Sequence, residues 1–195
     1  MPSPHLVPLP RGPLPDRDDD ELMTLAQAGV REAFAALVER HAERLVQACA
    51  RFVDDGERGA EIAQETWVTI WAQRSQYRAE GKFVVWLITA ARNRCRNHSR
   101  MRGVVQRHRM RAASEAAEPP TPKQIDQLLL EERRHRVHDA LSRLPERMRE
   151  ALVLRYAQEL RYDEMAAILR IGESTLRSRV HHGLRLLRDL LEEHR

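Results

Sequence analysis

Tyr162 to Arg188 reads YDEMAAILRIGESTLRSRVHHGLRLLR, and this stretch decides the fold. Tyr162, Met165, Ala166 and Leu169 recur at three- and four-residue steps, which gives one apolar face of a short helix. Arg170-Ile171-Gly172-Glu173 then interrupts the period. Gly172 is the expected turn residue, because glycine takes a positive φ without a Cβ clash. Ser174 or Thr175 is placed to cap the next helix by accepting from its free N–H groups. That second helix is expected to bury Leu176, Val180, Leu184 and Leu187. A short helix, a tight turn and a second helix form a helix-turn-helix. Ser174, Arg177, Ser178, Arg179, His181, His182 and Arg185 fall off the buried stripe. Donors, acceptors and positive charge near a helix N-terminus suit the major groove of a duplex. An ordinary helical hairpin with a solvated basic face is the competing reading of these residues alone.

Length and charge set the frame around this stretch. The 195 residues suffice for one large domain or two small ones. Lys and Arg exceed Asp and Glu only by 33 to 29, so the placement of charge matters more than its sum. Arg92 to Arg111 holds eight arginines and no acid, while acids gather at Asp16 to Glu21 and at Glu131-Glu132. Segregated positive charge suits a polyanionic partner. Cys49 and Cys95 are far apart and sit in no Cys/His ligand spacing, so neither a metal site nor a disulfide framework is expected. No apolar run approaches the length of a membrane span, and the proline-punctuated N-terminus lacks the pattern of a secretion signal. A soluble cytoplasmic protein without membrane insertion is the expectation. No nucleophile constellation, paired-carboxylate metal site or glycine-rich phosphate loop is evident, so neither an enzyme nor a bound cofactor is expected.

Taken in order, residues 1 to 17 are proline-rich and expected to be disordered. Leu22, Leu25, Ala26, Phe34, Leu37, Val38, His41, Leu45 and Ala48 keep a 3.6-residue period, with Gly29 as the break between two helices. Asp54-Asp55-Gly56 reads as a turn. From Glu57 to about Gln73 a third helix carries Ile62, Ala63, Thr66, Trp67, Ile70 and Trp71 on its apolar side. Gln76 to Lys82 reads as a loop. Phe83 to Arg102 is a long helix with Val84, Leu87, Ile88 and Ala91 inward and arginines outward. Residues 103–124 contain Pro119, Pro120 and Pro122, which rule out a continuous helix and mark a linker. Beyond it, a helix ending at Leu144 carries Leu128, Val137, Leu141 and Leu144. Pro145 opens the next, which buries Met148, Ala151, Leu152 and Tyr156. No segment alternates with period two. The fold class is therefore all-α: two small helical domains, residues 18–102 and 125–195, joined by a flexible linker, the second containing the helix-turn-helix. Each is near the lower size at which a core sustains itself.

Two stretches then carry a family resemblance. The first is Glu61 to Arg100, EIAQETWVTIWAQRSQYRAEGKFVVWLITAARNRCRNHSR, and the second is Leu144 to Leu187, LPERMREALVLRYAQELRYDEMAAILRIGESTLRSRVHHGLRLL. In this order and across a linker of this length, the pair resembles an extracytoplasmic-function sigma factor with only regions 2 and 4. The resemblance implies that residues 18–102 are region 2 and residues 125–195 region 4. It implies binding to core RNA polymerase, through the β′ clamp helices and the β flap, and to promoter DNA. It also implies an anti-sigma protein that covers both modules.

The resemblance extends to individual positions. Glu61, Gln64 and Glu65 match the helix that docks on the β′ clamp helices, and carboxylates on an exposed stripe suit a basic partner helix. Tyr77, Arg92, Asn93, Arg94, Arg96, Asn97 and Arg100 fall in the part that opens the minus-ten element. Strand opening needs a pocket for an unstacked base and positive charge along the released strand. Asn93 matches a family asparagine near the recognised base. Arg92, Arg94, Arg96 and Arg100 read as phosphate contacts, which position without specifying. Phe83 and Trp86 match positions that are mainly core. The family usually has Asp where this chain has Asn97 and two arginines where it has Arg100-Met101. In the second module Ser174, Thr175, Arg177, Ser178, Arg179, His181 and His182 match the helix facing the minus-thirty-five element, with Ser174 standing where the family has Gly. Arg177 suits a bidentate guanine contact, and Arg179 lies nearer the buried edge. Adjacent histidines point about 100° apart on a helix, and no third ligand accompanies His181 and His182, so no metal is expected there. Two other readings compete: a helix-turn-helix repressor or activator acting without polymerase, and a protein-binding helical adaptor whose basic faces only aid solubility.

Overall fold

The computed structural model describes residues 13–101 and 122–193; for residues 99–101, 122–131 and 134 only the backbone is described. The described residues are helical with no strand. The chain divides into two compact units, residues 1–95 and 96–195. Residues 103–121 of the expected linker lie outside the described residues.

In the first unit, Leu14–Asp16 forms a 3-10 turn ahead of α1 (Asp19–Gln27). The end of the proline-rich segment is thus ordered, because Arg40 donates to the carbonyls of Pro15 and Arg17 at 3.0 and 2.8 Å. Asp18 caps α1 by accepting from the Glu21 N–H at 2.8 Å. Gly29, at φ 95°, turns the chain into α2 (Arg31–Val53). Asp54 ends α2 in the left-handed region at φ 58°, and Asp55 caps α3 (Gly56–Ala72) through the Arg58 N–H. At Gly59 a Cβ would stand 2.4 Å from the backbone nitrogen of Ala50. The crossing of α2 and α3 therefore requires a residue without a side chain.

After Arg74–Gln76, a second 3-10 turn, α4 runs from Phe83 to Met101. Leu22, Leu37, Leu45, Ile62, Ile70, Phe83, Leu87 and Ile88 are fully or nearly fully buried. Phe34 packs against Trp67 and Trp71 with ring centroids 5.7 and 5.0 Å apart. One inward position differs from expectation. Val85 is buried and Val84 only half-buried, since Val85, Ile88, Ala91, Arg92 and Cys95 share the stripe that continues from Phe83.

After the residues left undescribed, α5 spans Pro122–Arg143 in the second unit. Residues 122–124, expected in the linker, are helical, with Pro122 in the first turn, where its missing N–H costs nothing. Val137 is exposed, and Ala140 and Leu144 are the buried residues at the end of α5 and just beyond it. Next, α6 (Glu146–Leu152) runs into a π turn over Val153–Ala157, closed by the Gln158 N–H on the Val153 carbonyl at 3.0 Å. A π turn holds an extra residue and so shifts the phase of every side chain after it. Within the turn Val153 and Leu154 are buried, while Tyr156, expected inside, is 58% exposed.

The helix-turn-helix follows as α7 (Tyr162–Leu169) and α8 (Glu173–Glu192). Its turn differs from the sequence expectation in two ways. Arg170, at φ 55°, takes the left-handed position and Gly172 lies at φ −67°. Gly172 is itself the N-cap of α8, with no side-chain cap, so Ser174 and Thr175 lie inside the first turn. Met165, Ile168, Leu176 and Val180 form the buried seam. The stripe continues through Gly183, whose added Cβ would meet Leu152 and Met148 at 3.3 Å. Leu184 is consequently 37% exposed and Leu187 half-buried.

Candidate nucleic-acid interface

Three helix faces carry the residues singled out by sequence. On α3, Glu61, Gln64 and Glu65 are exposed, opposite the Ile62, Ala63, Thr66 and Ile70 side that packs inward. Glu61 pairs with Arg58 one turn earlier. Val68, one turn beyond Glu65, is 69% exposed. Sequence reading passed over it because a single valine outside the apolar period carries no signal of its own.

Glu65 and Arg94, assigned to different partners, meet in space. Arg94 Nη1 donates to Glu65 Oε2 at 2.8 Å, and Arg94 Nε donates to Thr69 Oγ1 at 3.0 Å. Thr69 is fixed in turn by its own bond to the Glu65 carbonyl at 3.0 Å. The acidic stripe of α3 and the basic side of α4 are therefore stitched together at one point. Nothing in the spacing of residues 65 and 94 announces it.

Along α4, Asn93 and Asn97 are exposed and Arg94 and Arg96 half-buried. Arg100 lies on the same helix, outside the residues whose side chains are described. Arg92 departs from its assignment: it is only 8% exposed, on the stripe shared with Ile88, Ala91 and Cys95. A phosphate contact needs a guanidinium in solvent, so Arg92 is a structural residue of the first unit.

Tyr77 is corrected likewise. Its side chain is buried, with Phe83 and Trp86 at centroid distances of 5.9 and 5.1 Å, and its hydroxyl donates to Asp20. Burial, reinforced by the Asp20 carboxylate, pushes the phenol well above its ordinary range, so the hydroxyl stays a donor. Tyr77 therefore offers no free ring face to an unstacked base. It anchors the loop before α4. Asp20 also accepts from the Gly81 N–H, and Gln27 Nε2 donates to the carbonyls of Arg74 and Tyr77 at 2.7 and 2.9 Å. The acidic run at the start of α1, read by sequence only as charge, is thus what holds this loop. Asp19 ties the start of α1 to α2, accepting from Arg40 at 2.6 Å and lying 2.8 Å from His41 Nε2. Burial raises the Asp19 carboxyl, but His41 and Arg40 outweigh it and hold the group below its ordinary value.

On α8, Ser174, Thr175, Arg177, Ser178, His181 and His182 are all exposed, and Arg179 is half-buried, in keeping with its place near the buried edge. Arg177 is held on two sides. Its Nη2 donates to Glu173 Oε2 at 3.1 Å, and its Cζ lies 4.3 Å from the ring centroid of Tyr162. The rings of His181 and His182 are 5.9 Å apart. Among the described residues no group of three His, Cys, Asp or Glu side chains is placed to hold a metal ion. None of the described helices is long and apolar enough to cross a membrane.

Two family models match this chain: Sigma-70 region 2 over residues 37–104 and Sigma-70, region 4 over residues 134–187. RNA polymerase sigma factor CarQ of Myxococcus xanthus is 32% identical over 165 residues, covering 85% of this chain and 92% of that protein. The ECF RNA polymerase sigma factor SigK of Mycobacterium sp. (strain JLS) is 28% identical over 182 residues, covering 93% and 94%. Among solved structures, the sigma factor RpoE in complex with the anti-sigma factor NepR from Bartonella quintana shares the fold. The TM-score is 0.65 at 22% identity, over 83% of this chain and 98% of that one.

Proposed function

This chain belongs to the RNA polymerase sigma factors, in the extracytoplasmic-function type built of regions 2 and 4, and from that premise we propose how its faces divide the work of promoter-specific initiation. Region 2 comprises residues 18–102 and region 4 residues 125–195, with residues 103–124 as the connection and residues 1–17 as an N-terminal extension. Glu61, Gln64 and Glu65, with Val68 beside them, dock on the β′ clamp helices of core RNA polymerase. An acidic, solvated stripe with one apolar contact suits a basic helix. Asn93, Arg94, Arg96, Asn97 and Arg100 face the minus-ten element, with Asn93 at the recognised base and the arginines on phosphates.

The region 4 reading rests on one observation above others. Seven polar residues of α8, Glu173 among them, are exposed in its first half, while Leu176 and Val180 are buried on the same helix. A rigid helix with a polar N-terminal half is what major-groove readout needs. Arg177, Ser178, His181 and His182 take the base edges, and Ser174 and Thr175, beside the unpaired N–H groups of the first turn, take phosphate. Arg177 pairs with a guanine, worth about 1–3 kcal/mol of discrimination. Region 4 also contacts the β flap. The polymerase supplies nucleotidyl transfer, and the sigma factor catalyses no reaction itself. It acts in the cytoplasm, where an anti-sigma protein covering both modules holds it inactive, a reading supported by the NepR complex of the similar sigma factor RpoE.

Two substitutions test the division. Arg177→Ala is expected to weaken dependence on the minus-thirty-five element and leave core binding intact. Glu65→Lys is expected to weaken core binding and leave minus-thirty-five preference in the residual holoenzyme unchanged. Equal loss of core binding in both folded variants overturns the assignment. Recovery of only free or polymerase-bound protein from the uninduced native host overturns the anti-sigma reading.

A further inference from the structure

We propose that Tyr162 is a positioning residue for promoter readout: its ring holds the Arg177 guanidinium in the orientation that reads a base. This rests on the assignment of Arg177 to the minus-thirty-five element.

The geometry is local. Tyr162 opens α7, where Glu164 Oε2 accepts from the Arg161 N–H at 2.7 Å and fixes the helix start. One turn on, Met165 is fully buried, so the backbone carrying the ring is anchored. The ring is half-buried. Arg155 Cζ lies 5.4 Å from its centroid, and Arg155 Nη1 donates to the Leu160 carbonyl at 3.0 Å. The same ring receives Arg177 Cζ at 4.3 Å from α8. Tyr162 thus touches cations from the π turn and from the reading helix, and it ties the Arg177 side chain to the first helix of the pair.

An arginine on an exposed helix face samples many rotamers. A phosphate tolerates that freedom, because it accepts from any direction. A guanine does not, because two parallel bonds require the fork to lie in the plane of the base. A guanidinium stacked on an aromatic face is held by the π cloud, and its in-plane N–H edges stay available. Glu173 engages Nη2, and a guanidinium has five N–H donors in all, so donors remain for a base. The stack therefore contributes to the difference between right and wrong bases more than to overall affinity. Tyr162 needs no contact with DNA to do this.

The test uses holoenzyme made from core polymerase and full-length protein, either wild type, Arg177→Ala, Tyr162→Phe, Tyr162→Leu or Tyr162→Gln. The probe is the promoter duplex giving the strongest run-off transcript with the wild type, and its single-base substitutions through the minus-thirty-five element. Competition binding gives the preference ratio at each position. Arg177→Ala is expected to flatten one position. Tyr162→Leu and Tyr162→Gln are expected to lower the ratio at that same position about two- to fivefold, the worth of an exposed cation–π contact expressed as an equilibrium ratio. Tyr162→Phe keeps the aromatic face and is expected to keep the ratio. Uniform weakening across all sequences, unchanged ratios in folded Leu and Gln variants, or a Phe variant as impaired as Leu would each overturn the proposal. If Arg177→Ala flattens no position, the base-reading assignment fails and this inference falls with it. If it flattens one and the Tyr162 variants do not, only this inference fails.

Discussion

Asp18, Asp19 and Asp20 are three consecutive acids with three different tasks. Asp18 caps α1, Asp19 joins Arg40 and His41, and Asp20 holds Tyr77 and Gly81. Because the Asp19 carboxyl is held below its ordinary value, the unfolded state takes up its proton first as pH falls. The stability it contributes is full above that value and is lost as pH drops through the depressed folded value. Denaturant unfolding of wild type and Asp19→Asn is expected to differ most near neutrality and to converge in strong acid. A gap that widens on acidification contradicts the assignment. Tyr77→Phe keeps the ring packing and removes the bond to Asp20. We expect a loss of about 1 kcal/mol in the same measurement, and Asp20 keeps its hold on Gly81.

At the scale of elements, the two glycines of α3 behave oppositely. Gly59→Ala forces a methyl against the backbone of Ala50, and neither helix can yield locally. The expected cost is about 1–3 kcal/mol, read as a lower urea midpoint for the first unit. Gly56→Ala adds its methyl in open space at an ordinary helical φ, and the expected change is a gain of about 0.4–1 kcal/mol. Most element positions were legible, because the 3.6-residue period survives wherever the helix is regular, and Asp54-Asp55-Gly56 and Gly29 announce their turns. What was not legible came from events that alter the phase. The π turn puts Tyr156 outside, and the close packing of Gly183 on Leu152 puts Leu184 there. At the helix-turn-helix, Arg170 takes the left-handed backbone that composition assigns to Gly172. Of the candidate sites, the exposed faces of α3 and α8 could be read from one helix each. Arg92 and Tyr77 could not, because their burial depends on neighbours distant in sequence, and the Glu65–Arg94 pair joins two helices whose register no local pattern reports.

For the whole molecule, charge placement governs behaviour more than net charge. The formal excess is +4, yet the arginines of α4 and α8 lie on the faces proposed to meet the two promoter elements. Holoenzyme binding to promoter DNA is therefore expected to weaken steeply with salt, with slope about −0.9 per phosphate neutralised on duplex. Arg96→Ala is expected to reduce that slope without changing base preference. A changed preference at an unchanged slope contradicts its role as a phosphate contact. The function of this chain is to give core polymerase its promoter. The most direct measurement is co-elution of the purified protein with core RNA polymerase, followed by run-off transcription on a genomic promoter library. Co-elution with new promoter-specific transcripts is the predicted result. No association with core polymerase, together with tight binding of the protein alone to duplex DNA, would contradict the account.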